Sequence, residues 1–356
     1  MTSSPDRRRA VSLGGILPVV LYVAVTLGYD SSYSHQLYDR AAFVAQYRHG
    51  IYRYRVVGRE AVLVTDRVLH HFHLALHTPA VDLARSGATW ELFTAFFVVN
   101  GVAFLALAAL LYRVTVRSEQ WAQWVVPYLV VLVLVAASAY VVTPYDMLSY
   151  VVLVAACVGA FAGWPWPTLL VLAVVGTATR ESFLVGVAAV VAGALWWPAA
   201  RFRLWVGATA LALGAVGTYV ALRVVLHDAR EAGTFWWHVP QALNWNMGSV
   251  VAAVLLALGA WVLWAALPPL RRSAGASLGV AAVRTWYRRA SVTLWLLSLP
   301  YLVLSVVGGI WFEALRLAMP VLLCQYLLRW AADAVPAPMP SPSRPPASRP
   351  PVRTPV

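Results

Sequence analysis

Long apolar runs separated by short polar segments dominate the chain. Runs of this length are typical of helices that cross a membrane, because about 20 apolar residues span a hydrocarbon core of about 30 Å. They are too long for the strands of a membrane barrel. The predicted spans are residues 12–29, 92–112, 122–142, 147–163, 168–179, 181–197, 204–226, 249–267, 291–309 and 314–330. The pattern therefore predicts an all-α, polytopic transmembrane protein with about ten membrane segments.

Of two neighbouring spans, 168–179 and 181–197, the first is too short to be an ordinary crossing. Merging them into one helix would restore the length, but it would place the arginine-rich segment 268–290 on the opposite side from the other basic segments. We therefore interpret them as two shortened or re-entrant segments. Arg180 and Glu181 then lie between them, below the membrane surface, where a charged pair is costly and usually functional.

The longest polar stretch is the loop of residues 30–91, between the first two spans. Apolar residues recur at helical spacing in 37–47 and 61–76, which predicts two amphipathic helices lying along the membrane surface. The turn between them carries Tyr52, Arg53, Tyr54 and Arg55. Both interfacial anchoring and phosphate capture fit such a turn, since the guanidinium fork matches a phosphate group.

The remaining segments divide the chain into three regions. Residues 1–11 form a short N-terminus, and residues 12–332 form the transmembrane domain. The segment 333–356 is rich in proline, with serine and arginine, and this composition predicts a disordered tail.

Composition agrees with a membrane protein and excludes a soluble one. The chain is 61% hydrophobic and 12% charged, and its mean hydropathy is +0.71, whereas a soluble domain carries about 25% charged residues. The formal net charge is +13, and every basic residue is arginine. Because these arginines lie between apolar spans, they indicate membrane lipids and phosphate-bearing lipids as partners, and not nucleic acid.

The arginines also predict orientation. Arg7, Arg8 and Arg9 precede the first span, which places the N-terminus in the cytoplasm. The membrane is predicted to be the cytoplasmic (inner) membrane. Alternation then places the basic segments 113–121, 198–203 and 268–290 in the cytoplasm, together with the C-terminal tail. Eleven of the 14 acidic residues and all eight histidines fall on the outer side. Acid–base chemistry is therefore expected at the outer face.

One group of polar residues in the 30–91 loop has the ligand types of a metal site. Asp66, His70, His73 and His77 are spaced by four, three and four residues and would share one face of a helix. The compact spacing of known metal-binding helices is absent, and a solvated helix face explains the pattern as well. We assign no metal, and name Asp66, His70 and His73 as the candidates for a divalent ion.

Several segments resemble a known enzyme family. A short cytoplasmic start, one span, an acidic residue directly after it and a long outer loop are similar to the C-type glycosyltransferases, which are multi-spanning enzymes that use polyprenyl-phosphate sugars as donors. The stretches IYRYRVVGRE, TPYDM, TATRESFLVGVAAV and FEALRLAMPVLL also resemble recurrent stretches of bacterial membrane proteins of that general type. The resemblance covers residues 12–330 and is architectural.

The resemblance implies roles for individual residues. Asp30, the first acid of the outer loop, would be the catalytic base of an inverting transfer. Many relatives have two acids close together there, but here the next acid is Asp39. The phosphate of a polyprenyl-phosphate sugar would be held by Arg53, Arg55, Arg180 and Arg316, and the supporting acids would be Asp146, Glu181 and Glu313.

Two other functions remain open from the sequence alone. A transporter or lipid flippase would use Arg180 and Glu181 as a substrate site between broken helices. A non-enzymatic role in envelope assembly is compatible with the composition. The resemblance favours a glycosyltransferase that acts on the outer face of the cytoplasmic membrane.

Overall fold

A computed structural model describes residues 11–28, 38–48, 51–78, 88–116, 121–138, 143–197, 202–226, 247–269, 280–307 and 314–333. Within these ranges the regular structure is entirely helical, which confirms the predicted fold class. The α-helices are α1 (Leu17–Gly28), α2 (Arg40–Gln46), α3 (Val56–His71), α4 (Trp90–Val116), α5 (Trp121–Ser138), α6 (Asp146–Ala162), α7 (Trp166–Thr179), α8 (Phe183–Trp196), α9 (Phe202–Val225), α10 (Met247–Ala266), α11 (Val280–Val307) and α12 (Ala314–Asp333). A π-helical turn, Ser12–Ile16, precedes α1, and a 3₁₀ turn, Ile51–Tyr54, precedes α3.

Helices occur at all ten predicted span positions, and successive ones run antiparallel. One end of the bundle, here called the Trp197 end, contains the C-termini of α6, α8 and α12. There Trp286 of α11 donates a hydrogen bond to the Gly193 carbonyl of α8 (2.8 Å). Arg329 of α12 donates one to the Pro268 carbonyl after α10 (3.0 Å). The segments that join these helices therefore share one end, as the alternation of spans predicts.

The outer surface of the bundle is apolar. On α9 the exposed side chains include Leu213 (68%), Val216 (55%) and Val224 (70%), and on α10 they include Trp264 (70%). A soluble monomer rarely exposes contiguous apolar surface of this kind. Four stretches are long and apolar enough to cross a bilayer: Trp90–Val114, Trp121–Ser138, Phe202–Val225 and Gly248–Ala266. The protein is therefore a helical membrane protein.

The short predicted pair of spans is present as two antiparallel helices. α7 and α8 have 14 residues each, so each is about 21 Å long at a rise of about 1.5 Å per residue. The hydrocarbon core is about 30 Å thick, so this pair reaches only part of the way across it. The ring of Phe183 packs on Gly176, where a Cβ atom would come within 2.2 Å of the ring. The break between the two helices is thus closely packed.

The helices of the 30–91 loop dock on the bundle. The second predicted segment, 61–76, is shifted: α3 begins at Val56 and ends at His71. Phe43 of α2 and Val62 of α3 pack with Phe93 and Phe96 of α4 in a separate small core. The opposite side of α3 exposes Val64 and Val68, as an interfacial helix does when its apolar side chains contact lipid.

Candidate functional site

Asp146 lies at the centre of a buried cluster of charged side chains. It is the first residue of α6 and is 3% exposed. One carboxylate oxygen accepts a hydrogen bond from Nη1 of Arg180, and the other lies 3.1 Å from Nε of Arg316. Three helical segments that are distant in the sequence therefore meet at one carboxylate.

The two arginines are held in place by their backbones. Arg180 ends α7 in an extended conformation, and its amide donates to the Gly176 carbonyl at 2.9 Å. This turns its side chain away from the helix and into the space beside Asp146. Arg316 lies in the first turn of α12, and its carbonyl oxygen accepts a hydrogen bond from the Tyr150 hydroxyl (2.8 Å). The backbones of both arginines are therefore fixed beside Asp146.

A second ion pair adjoins the first. Nε of Arg55 lies 3.1 Å from Oε2 of Glu181, which is the residue after Arg180. The ring of Tyr145 lies between the two arginines, with its centroid 4.3 Å from Cζ of Arg55 and 5.7 Å from Cζ of Arg180. Tyr52 contacts the Arg55 guanidinium as well, at 4.9 Å. Such cation–π contacts fix the plane of the guanidinium group.

The start of α3 positions Arg55. A Cβ atom at Gly58 would come within 2.8 Å of the Pro144 carbonyl oxygen and of the Tyr145 side chain. Because glycine has no Cβ, α3 lies flush against the segment that leads into α6. This close approach places Arg55 over the Tyr145 ring.

Together these residues form a site with an excess of positive charge. We call Arg55, Asp146, Arg180, Glu181 and Arg316 the Asp146 cluster. Its three guanidinium groups and two carboxylates leave one net positive charge when both acids are ionised. Within the described residues, the buried hydroxyl Oγ of Ser182, next to Glu181, has no hydrogen-bond partner and could donate to a bound anion. A buried polar atom without a partner is unfavourable and is explained when a ligand supplies the partner. The cluster is therefore suited to bind an anion.

The structure brings together most of the residues that the sequence singled out. Arg55, Arg180, Arg316, Asp146 and Glu181 meet in one cluster. Their roles in phosphate binding stay predictions. The partly buried Arg53 lies two residues before Arg55, on the 3₁₀ turn. Asp30 and Glu313 lie outside the described residues.

Sequence reasoning missed the aromatic part of the site. Tyr145 directly precedes Asp146 in TPYDM, and Tyr301 lies on α11, close enough to Arg180 for an electrostatic interaction. Tyrosines near membrane interfaces are common, so neither stood out. The adjacency of Tyr145 and Asp146 was the one available signal.

The helix that carries the proposed metal ligands ends before it includes all of them. α3 ends at His71, and His73 follows it with a φ of +53°. Asp66 points to the buried side, where its carboxylate lies 3.3 Å from Nη1 of Arg40. Within the described residues there is no group of three or more histidine, cysteine, aspartate or glutamate side chains that could hold a metal ion. Asp66 and His70 lie four residues apart on α3, but the expected helix face does not extend to His73, because α3 ends at His71.

No protein-family model, no curated protein and no solved structure matches this chain at a significant level. The structural features that bear on function are therefore the Asp146 cluster and the apolar surface that surrounds the bundle.

Proposed function

We propose that this protein is a glycosyltransferase of the cytoplasmic membrane that transfers a sugar from a polyprenyl-phosphate donor to an acceptor on the outer face. The observation that carries the proposal is the Asp146 cluster, which gathers three arginines with one net positive charge. Arginine is the side chain best suited to hold a phosphate group, because its donors match two phosphate oxygens at once.

The position of the cluster suits a phosphate that is attached to a lipid. α7 and α8 are each about 21 Å long, whereas a full span is about 30 Å long. The break between these two helices would therefore lie below the membrane surface. A soluble anion would bind at the water-exposed surface. A polyprenyl phosphate instead keeps its chain in the bilayer and brings its phosphate to this depth. The acidic and arginine groups of the cluster would orient it there.

The reaction assigns a task to each type of group. A base removes the proton of the acceptor hydroxyl as its oxygen bonds to the anomeric carbon of the sugar. The bond from that carbon to the phosphate oxygen breaks, and its electron pair remains on the phosphate. The arginines stabilise this developing charge. From the resemblance we propose Asp30 as the base, and Arg55, Arg180 and Arg316 as the phosphate ligands, with Arg53 at the edge of the site.

Transfer can be measured in membrane vesicles that contain the protein and a radiolabelled polyprenyl-phosphate sugar. Arg180→Gln and Arg316→Gln are each expected to lower transfer about 100-fold, since each removes a charged donor to the leaving group. Arg113→Gln is the matched control, because Arg113 is exposed near the far end of α4. Asp30→Asn is expected to abolish transfer. Wild-type vesicles that transfer no sugar, or equal rates in Arg180→Gln and Arg113→Gln, would refute the proposal.

One observation favours a second function. Short antiparallel helices that meet at a charged break also occur in transporters, where helix ends and charged side chains bind the substrate at membrane depth. A transporter or flippase would move a lipid-linked anion in vesicles without cleaving it. Lipid translocation without sugar transfer, lost in Arg180→Gln, would support this alternative. A non-enzymatic role in envelope assembly predicts neither transfer nor translocation.

A further inference from the structure

The two carboxylates of the Asp146 cluster occupy different positions. One oxygen of Asp146 accepts a hydrogen bond from Arg180, the other forms an ion pair with Arg316 without a hydrogen bond, and the side chain is 4% exposed. Glu181 uses only Oε2, toward Arg55, and its side chain is 24% exposed. Its other oxygen has no hydrogen-bond partner within the described residues. Asp146 is thus held by two arginines in a buried position, whereas Glu181 is held by one arginine and is the more exposed of the two acids.

Arg55 differs from the other two arginines in a matching way. Arg180 and Arg316 share the carboxylate of Asp146, and these three side chains together carry one net positive charge. Among the ion pairs of the described residues, Arg55 takes part in one, with Glu181. The rings of Tyr145 and Tyr52 contact its guanidinium group at 4.3 and 4.9 Å. These ring contacts with Arg55 do not involve Glu181.

We propose that Glu181 is a built-in counterion that a phosphomonoester displaces from Arg55. The inference rests on the proposed function, because it concerns the same phosphate site. A phosphodiester carries one negative charge and matches the single positive charge of the Arg180–Asp146–Arg316 group. A phosphomonoester carries about 1.5 to 2 negative charges at neutral pH. Its second charge needs another cation. Arg55, which is paired with Glu181 when no phosphate is bound, would supply that cation.

This arrangement follows the charge that develops during transfer. The donor is a phosphodiester, and cleavage of its bond to the sugar leaves a phosphomonoester on the lipid. Arg55 exchanges Glu181 for the phosphate as the second charge appears, which favours the leaving group over the intact donor. When Glu181 recaptures Arg55, the product is released. The exchange itself moves no proton and breaks no covalent bond.

The test is a binding measurement on the full chain, purified in detergent, with polyprenyl monophosphate in mixed micelles. Glu181→Gln is expected to bind it about tenfold more tightly than the wild type, because Arg55 no longer has to leave a charged partner. Glu60→Gln is the matched control: it removes the same charge from the partly exposed pair of Arg59 and Glu60 (2.7 Å) on α3. Its affinity is expected to equal that of the wild type.

A double-mutant cycle isolates the pair. In Arg55→Gln the affinity falls, and adding Glu181→Gln to it is expected to give no further gain, since the effect of Glu181 acts through Arg55. Should Glu181→Gln fail to fold, Glu181→Asp keeps the charge but shortens the side chain, and about threefold tighter binding is expected because the ion pair is weakened. Competition with inorganic phosphate separates a site for free phosphate, which displaces the lipid, from a site that requires the lipid.

The outcomes for the two proposals are distinct. If the wild type binds the lipid phosphate but Glu181→Gln gains nothing, or gains as much in the Arg55→Gln background, the counterion role is wrong and the phosphate site remains. If the wild type and Arg180→Gln both fail to bind the lipid phosphate, the phosphate site of the proposed function is itself wrong. Tighter binding in Glu181→Gln that depends on Arg55 confirms the counterion role.

Discussion

Arg180 and Asp146 lie 34 residues apart in the sequence and form a buried ion pair that joins the break between α7 and α8 to the first turn of α6. The carboxylate of Asp146 also faces Arg316, so one acid balances two cations. Charged groups at such depth are stable only when they are paired. The positions of three helix ends at the site therefore depend on a single side chain.

Replacing Asp146 with asparagine is expected to destabilise the protein strongly. Arg180 and Arg316 would then share no carboxylate, and breaking a buried ion pair by removing one partner costs about 3–5 kcal/mol. Thermal unfolding of the purified protein in detergent measures the loss. Glu60→Gln, in a partly exposed pair, is expected to change stability by less than about 1 kcal/mol. Equal melting temperatures for the two variants would contradict the central role of Asp146.

Gly58 provides a test of how α3 positions Arg55. In Gly58→Ala the new Cβ would meet the Pro144 carbonyl oxygen and the Tyr145 side chain at 2.8 Å, so α3 must move away from α6. We expect a loss of about 1–3 kcal/mol, together with weaker binding of lipid phosphate, because Arg55 moves with the helix.

The matched control for this change is Gly217→Ala in α9. A Cβ at Gly217 meets nothing within 4 Å, and alanine favours a helix more than glycine does. This variant is expected to be unchanged or slightly more stable. If both glycine variants unfold at the wild-type temperature and bind lipid phosphate equally, α3 does not set the position of Arg55.

The sequence predicts the helices well because their signal is local. The hydrophobicity of each apolar run is enough to identify it as a membrane helix. The break at Arg180 follows from the length of the two runs beside it. The pairing within the site is a different matter. Asp146, Arg180 and Arg316 come from three helices, and hydropathy does not tell which faces of these helices meet. The contacts of Tyr145 with Arg55 and Arg180 arise only from that packing.

The boundaries of α3 show where a periodic pattern is insufficient. Apolar spacing continues past residue 71, yet the helix ends at His71 and the chain turns at His73. The amide of Leu76 then bonds to the Thr94 hydroxyl of α4 (2.7 Å). A tertiary contact thus replaces the helix that periodicity predicts, and this change separates His73 from the face that carries Asp66.

The orientation of the bundle can be tested with topology reporters. We expect a reporter inserted at Gly163 and one fused after Pro336 to lie on the same, cytoplasmic side, because α6 and α12 both end at the Trp197 end. A reporter inserted within residues 79–87 is expected on the outer side. The physical reason is the excess of arginine at the Trp197 end. An opposite result for Gly163 and Pro336 would overturn the alternation of spans.

Asp66 differs from Asp146 in that loss of its negative charge is expected to stabilise the protein at high pH. It lies on α3, outside the membrane-spanning helices, and burial raises the pKa of its carboxyl group above the usual value, while Arg40 acts in the other direction. A raised pKa in the folded state means that the folded protein binds this proton more readily than the unfolded chain does. The contribution to stability is thus present at low pH and lost as pH rises through the raised pKa.

Asp66→Asn is therefore expected to be more stable than the wild type at pH 8, since the amide does not ionise in its buried position. The difference in melting temperature should shrink toward zero as the pH falls below the raised pKa, because Asp66 is then neutral in the wild type as well. Its partner Arg40 remains solvated, since its side chain is 55% exposed. Thermal unfolding between pH 4 and pH 8 measures the trend. The melting temperature of Asp66→Asn relative to that of the wild type can also be lower at pH 8 than at pH 4. In that case the ion pair with Arg40 outweighs the burial of the carboxylate.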